Sequence, residues 1–270
     1  MEQFLSLRRR RVRVLTHGHG APVLFVHGFP LGADLWRPQL DAAPAGWRFI
    51  APDLRGFGGS ERVPPGETDG ATTLDAHVTD LLSLLDIWGE ARAVVVGLSM
   101  GGYIAQALVK HAPVRTRALV LCDTRSEADS PEALANRRAM REEVAANGAP
   151  AAADAMIQRL LGPSSQRERP ELVGVLRELI ERNPPAGIDD AIVALMTRPD
   201  LTPALADIGC PTLLVAGEED ALTPVELHRR MHEAIAGSRL EIITGAGHVS
   251  SLEQPEAFNQ VLHAFLKTLQ

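Results

Sequence analysis

One short stretch limits the folds open to this chain more than any other: VVVGLSMGG, residues 94 to 102. The valine run reads as a strand buried on both faces. It runs through Gly97, Leu98, Ser99, Met100 and Gly101 directly into a helical pattern over residues 100–110. A strand that enters a helix through so tight a turn brings neighbouring backbone close. A Cβ two residues before or after the serine would collide, and glycine at 97 and 101 removes it. Ser99 is therefore expected in a sparsely populated backbone conformation, at a cost of roughly 1–3 kcal/mol, with its hydroxyl pointing out of the fold. The Met100 N–H then lies at the positive end of the helix dipole, where a developing oxyanion would meet a donor.

The same rhythm runs through much of the chain. Short apolar runs predict strands at residues 23–27, 49–51, 93–97, 118–122, 212–216 and 240–243. Helical periodicity lies between or after them, at 73–88 with Leu74, Val78, Leu81 and Leu85, and at 255–269 with Phe258, Leu262 and Phe265. Such alternation predicts an α/β fold with a mostly parallel sheet covered by helices, whose ligands bind at the carboxyl ends of the strands. Between residues 124 and 205 the strands stop. Helical patterns at 131–146, 151–161, 170–182 and 188–197 follow one another, separated by Asn-Gly, Gly-Pro and Pro-Pro breakers. These helices cannot bury their apolar faces alone. The expected organisation is a core of residues 1–123 and 206–270, with 124–205 inserted as a helical cap over the carboxyl edge of the sheet.

Composition narrows the partners. A formal net charge of -7 opposes both nucleic acid and anionic lipid, which leaves a small-molecule substrate as the expected partner. No apolar run approaches the roughly 20 residues that span a bilayer, and the arginines at 8–11 lead into Val12-Arg13-Val14 rather than an apolar signal segment. A cytoplasmic chain is expected, and its oligomeric state is open. The arginine-valine alternation predicts an edge strand with a charged outer face. Cys122 and Cys210 are expected as small core residues rather than a disulfide.

A serine hydroxyl is a poor nucleophile at neutral pH unless a base lies within hydrogen-bond reach and a third group orients that base. Asp220, in the loop after the strand at 212–216, and His248, in the loop after 240–243, are the expected partners. The order serine, acid, histidine is one of those in which such a triad occurs. Asp123, Glu218 and Glu219 are rivals for the acid, and Asp123 is expected to cap or brace the entrance to the insertion. A second oxyanion donor is expected from Phe29 N–H in the HGFP loop, beside that of Met100; both residues would also line the substrate pocket. His27 is expected to hydrogen-bond around this loop.

HGFPLGADLW, APDLRGFGGS, VGLSMGGYIAQAL, CPTLLVAGEEDALTP and GAGHVSSLEQPEAF, in this order, resemble the successive signatures of the α/β-hydrolase family. The resemblance runs from about His17 to the end, and the segment around 121–138 with the return at 198–213 is similar to bacterial carboxylesterases and 3-oxoadipate enol-lactonases. It implies an ester hydrolase with Ser99, His248 and Asp220 as catalytic residues and no cofactor or metal. Lactone hydrolysis is the enzyme alternative, and a small-molecule receptor on the same fold is the alternative of a different class. Cofactor-free haloperoxidases resemble the chain around HGFPLGADLW, so perhydrolysis is an expected side activity. Haloalkane dehalogenases and epoxide hydrolases use a carboxylate nucleophile, which Ser99 is not.

Three further features have a bland reading. His228 and His232, four apart on an expected helix, lack the internal glutamate of a metalloprotease motif and are expected on a solvated face. The GFGGS stretch lacks the lysine of a phosphate-binding loop and is expected to brace the rim of the site. Met140, Met156, Ile157, Leu160 and Met196 are expected to pack the insertion, some of them facing the serine.

Overall fold

The computed structural model describes residues 1–63 and 73–270. Eight strands form one sheet: β1 (Glu2–Leu7), β2 (Arg10–Gly18), β3 (Gly20–Val26), β4 (Gly46–Pro52), β5 (Ala93–Leu98), β6 (Thr116–Cys122), β7 (Thr212–Gly217) and β8 (Arg239–Ile243). Their order is β1-β2-β4-β3-β5-β6-β7-β8. The six strands from β4 to β8 in that order are mutually parallel, and the hairpin β1-β2 adds to β4 antiparallel. β5 and β7 are buried along their whole length, which is why they read as unbroken apolar runs rather than as alternation.

Helices cover the sheet. In chain order these are α1 (Arg37–Asp41), α2 (Leu74–Ile87), α3 (Met100–His111), α4 (Pro131–Asn147), α5 (Ala149–Leu160), α6 (Pro163–Glu168), α7 (Glu171–Glu181), α8 (Pro185–Met196), α9 (Val225–Ala234), α10 (Ser250–Glu253) and α11 (Pro255–Lys267). Ser130 caps α4, its hydroxyl accepting from the Ala133 N–H at 3.1 Å, and Pro131 follows in the first turn. Phe25 lies between Trp36 and Phe49, with ring centroids 5.0 and 4.8 Å away, and Phe258 of α11 meets Trp36 at 6.1 Å. All four rings are fully buried, each worth about 1.5–3 kcal/mol of transfer free energy. Among the described residues, no helix is long and apolar enough to cross a membrane.

Helices α4 to α8 lie between β6 and β7, with no strand among them. The short α6 was not expected from periodicity. α7 turns Leu172, Leu176, Leu179 and Ile180 inward. Two links, one part-buried and one buried, tie this segment to the sheet's loops. Arg182, just after α7, reaches Asp34 at 2.7 Å, and the next residue, Asn183, is buried against the loop after β3.

The arginine-rich stretch differs from expectation. The edge is β1, and β2 is the second strand, so Arg10 and Arg13 are buried rather than displayed on an outer face. Arg10 pairs with Asp80 at 2.6 Å, while Arg13 bonds Asp34 at 2.8 Å, Asp53 at 3.0 Å and Glu2 at 3.1 Å. Arg8 and Arg9 make the hairpin turn, with φ of 47° and 66°. Cys122 is buried, Cys210 half-buried, and neither forms a disulfide.

Candidate active site

Five loops leave the carboxyl ends of β3, β5, β6, β7 and β8, and their residues meet at one edge of the sheet. Ser99 sits between β5 and α3 with φ 53° and ψ -114°, in the positive-φ region that side chains rarely adopt. The crowding around it explains the flanking glycines. A Cβ at Gly97 would lie 2.3 Å from the Gly101 carbonyl oxygen, and one at Gly101 would lie 2.1 Å from that of Val26. Ser99 is held by its own N–H to the Cys122 carbonyl at 2.9 Å, and its carbonyl accepts from the Thr124 hydroxyl at 2.9 Å.

The structure brings Ser99, His248 and Asp220 into one hydrogen-bonded chain. His248 Nε2 is 2.8 Å from Ser99 Oγ, and His248 Nδ1 is 2.8 Å from Asp220 Oδ2. The other donors to Asp220 come from its own turn: Leu222 N–H at 2.8 Å, Thr223 N–H at 2.9 Å and the Thr223 hydroxyl at 2.5 Å. Burial alone would raise the Asp220 carboxyl; the His248 ring and Thr223 hold it well below the usual carboxylate range. Burial likewise opposes charge on His248, but the adjoining Asp220 carboxylate outweighs it and places the imidazole above the ordinary histidine value.

Phe29 and Met100 line the same cavity as Ser99 and His248, a space of about 130 Å³. Among the described residues, neither backbone N–H has an acceptor. Met100 opens α3, so its free N–H follows from the helix start itself. The loop that carries Phe29 is braced from below. His27 Nδ1 bonds the Gly28 carbonyl at 3.0 Å, while its Nε2 accepts from Leu54 N–H at 3.0 Å. Asp53 accepts from Ala33 N–H at 2.7 Å and Gly59 N–H at 2.9 Å, so the GFGGS stretch is tied to the loop after β3. Met140 and Met156 of the helical segment face the cavity from the other side.

Asp123 differs from expectation. It does not brace the entrance to the helical segment; it holds the bases of the two loops that present Asp220 and His248. Its Oδ1 accepts from Gly217 N–H at 2.8 Å, and its Oδ2 from Ser250 N–H at 3.1 Å and Ser250 Oγ–H at 2.6 Å. Complete burial and the nearby Asp220 carboxylate push the Asp123 carboxyl up. His228 is also corrected. It is fully buried rather than solvated, and its Nε2 accepts from Thr124 N–H at 3.1 Å, beneath Ser99. Burial brings its pKa down to about 4, which keeps this ring a neutral acceptor. His232 is exposed and bonds Ser238 at 2.7 Å.

Periodicity gave no sign of two other buried residues. Glu253 accepts from Gly247 N–H at 2.8 Å and Val249 N–H at 3.2 Å, either side of His248, and from Gly162 N–H at 2.8 Å. Its only signal in sequence is a glutamate five positions after the histidine. Asn183 donates to the Pro30 carbonyl at 2.8 Å and accepts from Gly58 N–H at 2.8 Å. Among the described residues, no group of three or more histidine, cysteine, aspartate and glutamate side chains could hold a metal ion.

A family model described as the alpha/beta hydrolase fold matches residues 21–255. A thermophilic esterase from Thermogutta terrifontis, solved with malate bound, superposes with a TM-score of 0.92 at 36% identity, covering 100% of this chain and 99% of that one. The enol-lactonase from Burkholderia xenovorans superposes with a TM-score of 0.88 at 26% identity over 98% of this chain and 100% of its own. By sequence, 3-oxoadipate enol-lactonase 2 of Acinetobacter baylyi is 28% identical over 245 residues, 91% of this chain and 88% of its own.

Proposed function

Because this chain belongs to the α/β-hydrolase family, we propose that it hydrolyses carboxylic esters through an acyl-enzyme formed on Ser99. The observation that carries the reading is the unbroken run of two 2.8 Å hydrogen bonds from a strained hydroxyl through an imidazole to a carboxylate, beside two N–H groups without acceptors. His248 Nε2 takes the Ser99 proton as Oγ adds to the ester carbonyl. The Phe29 and Met100 N–H groups receive the negative charge that gathers on the carbonyl oxygen, an interaction whose loss typically costs roughly 10²–10³ in turnover per donor. The imidazolium then protonates the leaving alcohol. Water, deprotonated by the same ring, attacks the acyl-enzyme, and collapse returns the proton to Ser99 with release of the acid. Asp220 keeps Nδ1 protonated throughout, so that Nε2 is the nitrogen that accepts and returns the proton in each step.

Residues 124–205 act as a cap on a core made by 1–123 and 206–270. The small cavity under this cap fits short or medium acyl chains. Lactone opening is the second reading, because the same groups serve it and two of the similar proteins named above are enol-lactonases. The test is turnover of a short-chain nitrophenyl ester beside an enol-lactone, in wild type and in Ser99→Ala. Ester turnover that drops about 10⁵-fold or more in the variant supports the proposal. Ligand binding without turnover supports a receptor instead.

A further inference from the structure

The cavity above Ser99 has an unusual charge for a chain with a net charge of -7. Three guanidinium groups line it, from Arg125, Arg137 and Arg159, against a single carboxylate, Asp129. That carboxylate is already taken. Its side chain is 1% exposed and contacts both Arg137 and Arg198, the latter at 2.8 Å. Arg125 and Arg159 form no ion pair among the described residues, and Arg125 Nε is buried without an acceptor. Tyr103, which also lines the cavity, is a hydrogen-bond partner of Arg125 and not an ion-pair partner. Arg125 is half-buried, and a guanidinium partly withdrawn from water without a counter-ion carries a cost that a ligand anion removes; Arg159 is exposed and adds a second positive charge at the rim.

Arg159 occupies a second significant place. Together with Asn136 and Met140 it lines both the inner cavity and a wider groove of about 540 Å³ along α4 and α5. Of the two acids in that groove, Asp154 pairs with Arg177 at 2.6 Å, while Glu143 accepts from the neighbouring Asn147 amide at 3.0 Å and keeps its charge. Arg159 therefore stands where groove and cavity meet, and its positive charge attracts an anion on either side.

We propose that the substrates of this site are esters or lactones that carry a free carboxylate, held by Arg125 and Arg159 a short tether from the carbonyl that Ser99 attacks. The assignment rests on the ester-hydrolase reading for its chemistry and on the guanidinium groups for its charge. Planar guanidinium groups suit it because they bind a carboxylate through two parallel hydrogen bonds.

The experiment compares kcat/KM for two matched pairs, ethyl butyrate with monoethyl succinate and butyl acetate with 4-acetoxybutanoate. The charged member of at least one pair is expected to be favoured tenfold or more, and Arg125→Met and Arg159→Met to bring that ratio towards one. Charged and neutral esters at parity in both pairs overturn the proposal, as do variants that lower both substrates alike and leave the ratio unchanged. Should no ester of either kind turn over, the ester-hydrolase reading fails by itself, and calorimetric titration with glutarate then decides the anion site. Saturable binding that is lost in both arginine variants upholds it; no binding overturns it.

Discussion

Asn183 Nδ2 donates to the Pro30 carbonyl oxygen at 2.8 Å, joining residues 153 positions apart in the chain. The same side chain accepts from Gly58 N–H, so one buried amide ties the end of α7 to the loop that carries Phe29 and to the GFGGS stretch. The helical segment and the proposed oxyanion loop are thereby one mechanical unit.

Asn183→Ala should therefore loosen Phe29 without touching substrate. The expected result is a fall in kcat of about tenfold with KM nearly constant, since a slackened donor weakens the transition state more than the ground state. Steady-state kinetics on a short-chain ester, with circular dichroism to establish folding, check this.

Gly101→Ala introduces a Cβ that would lie 2.1 Å from the Val26 carbonyl oxygen. Backbone, not a flexible side chain, would have to yield. A stability loss of about 3 kcal/mol or more is expected, read from urea unfolding midpoints.

The pH profile follows from His248. Only the neutral imidazole accepts the Ser99 proton, so kcat/KM should fall as pH drops through the His248 pKa. Asp220 raises that pKa, so the midpoint is expected above the unperturbed value of about 6.5. Asp220→Asn removes the carboxylate and leaves burial to dominate; its acid limb should move to lower pH, with a rate reduced by roughly 10⁴. An unchanged acid limb in the variant would contradict the assignment of the acid.

Asp123→Ala leaves the buried Gly217 and Ser250 N–H groups without their acceptor. A loss of about 2–4 kcal/mol is expected from two such donors. Differential scanning calorimetry should show it as a Tm lower by roughly 5–15 °C.

What the sequence discloses depends on whether the signal is local. Ser99, Asp220 and His248 each follow an apolar run that ends in glycine-containing loops, so strand, turn and polar residue are all readable within about ten positions. Arg13 is different. Its alternation with valine specifies a strand, but the acids that bury it, Asp34 and Asp53, are distant in sequence and nothing nearby announces them. His228 and His232 share a helix, yet periodicity cannot decide which flank of α9 faces the sheet; His228 and Met231 turn inward and His232 does not. Asn183 precedes Pro184 and Pro185 and so reads as a breaker, while its acceptors lie in other elements. Strand ends are blurred for a similar reason: β4 extends from Gly46 to Pro52 through pairing with β3 and β2, beyond the short apolar run that marks it.

The central claim is that Ser99 is a nucleophile activated by His248. An aryl phosphate triester that phosphorylates activated serines tests it directly, through intact mass and peptide mapping of the treated protein. The account predicts one adduct, on the peptide that contains Ser99, and its loss in His248→Gln. A folded wild-type protein that takes no adduct, or takes it at another residue, would contradict the account.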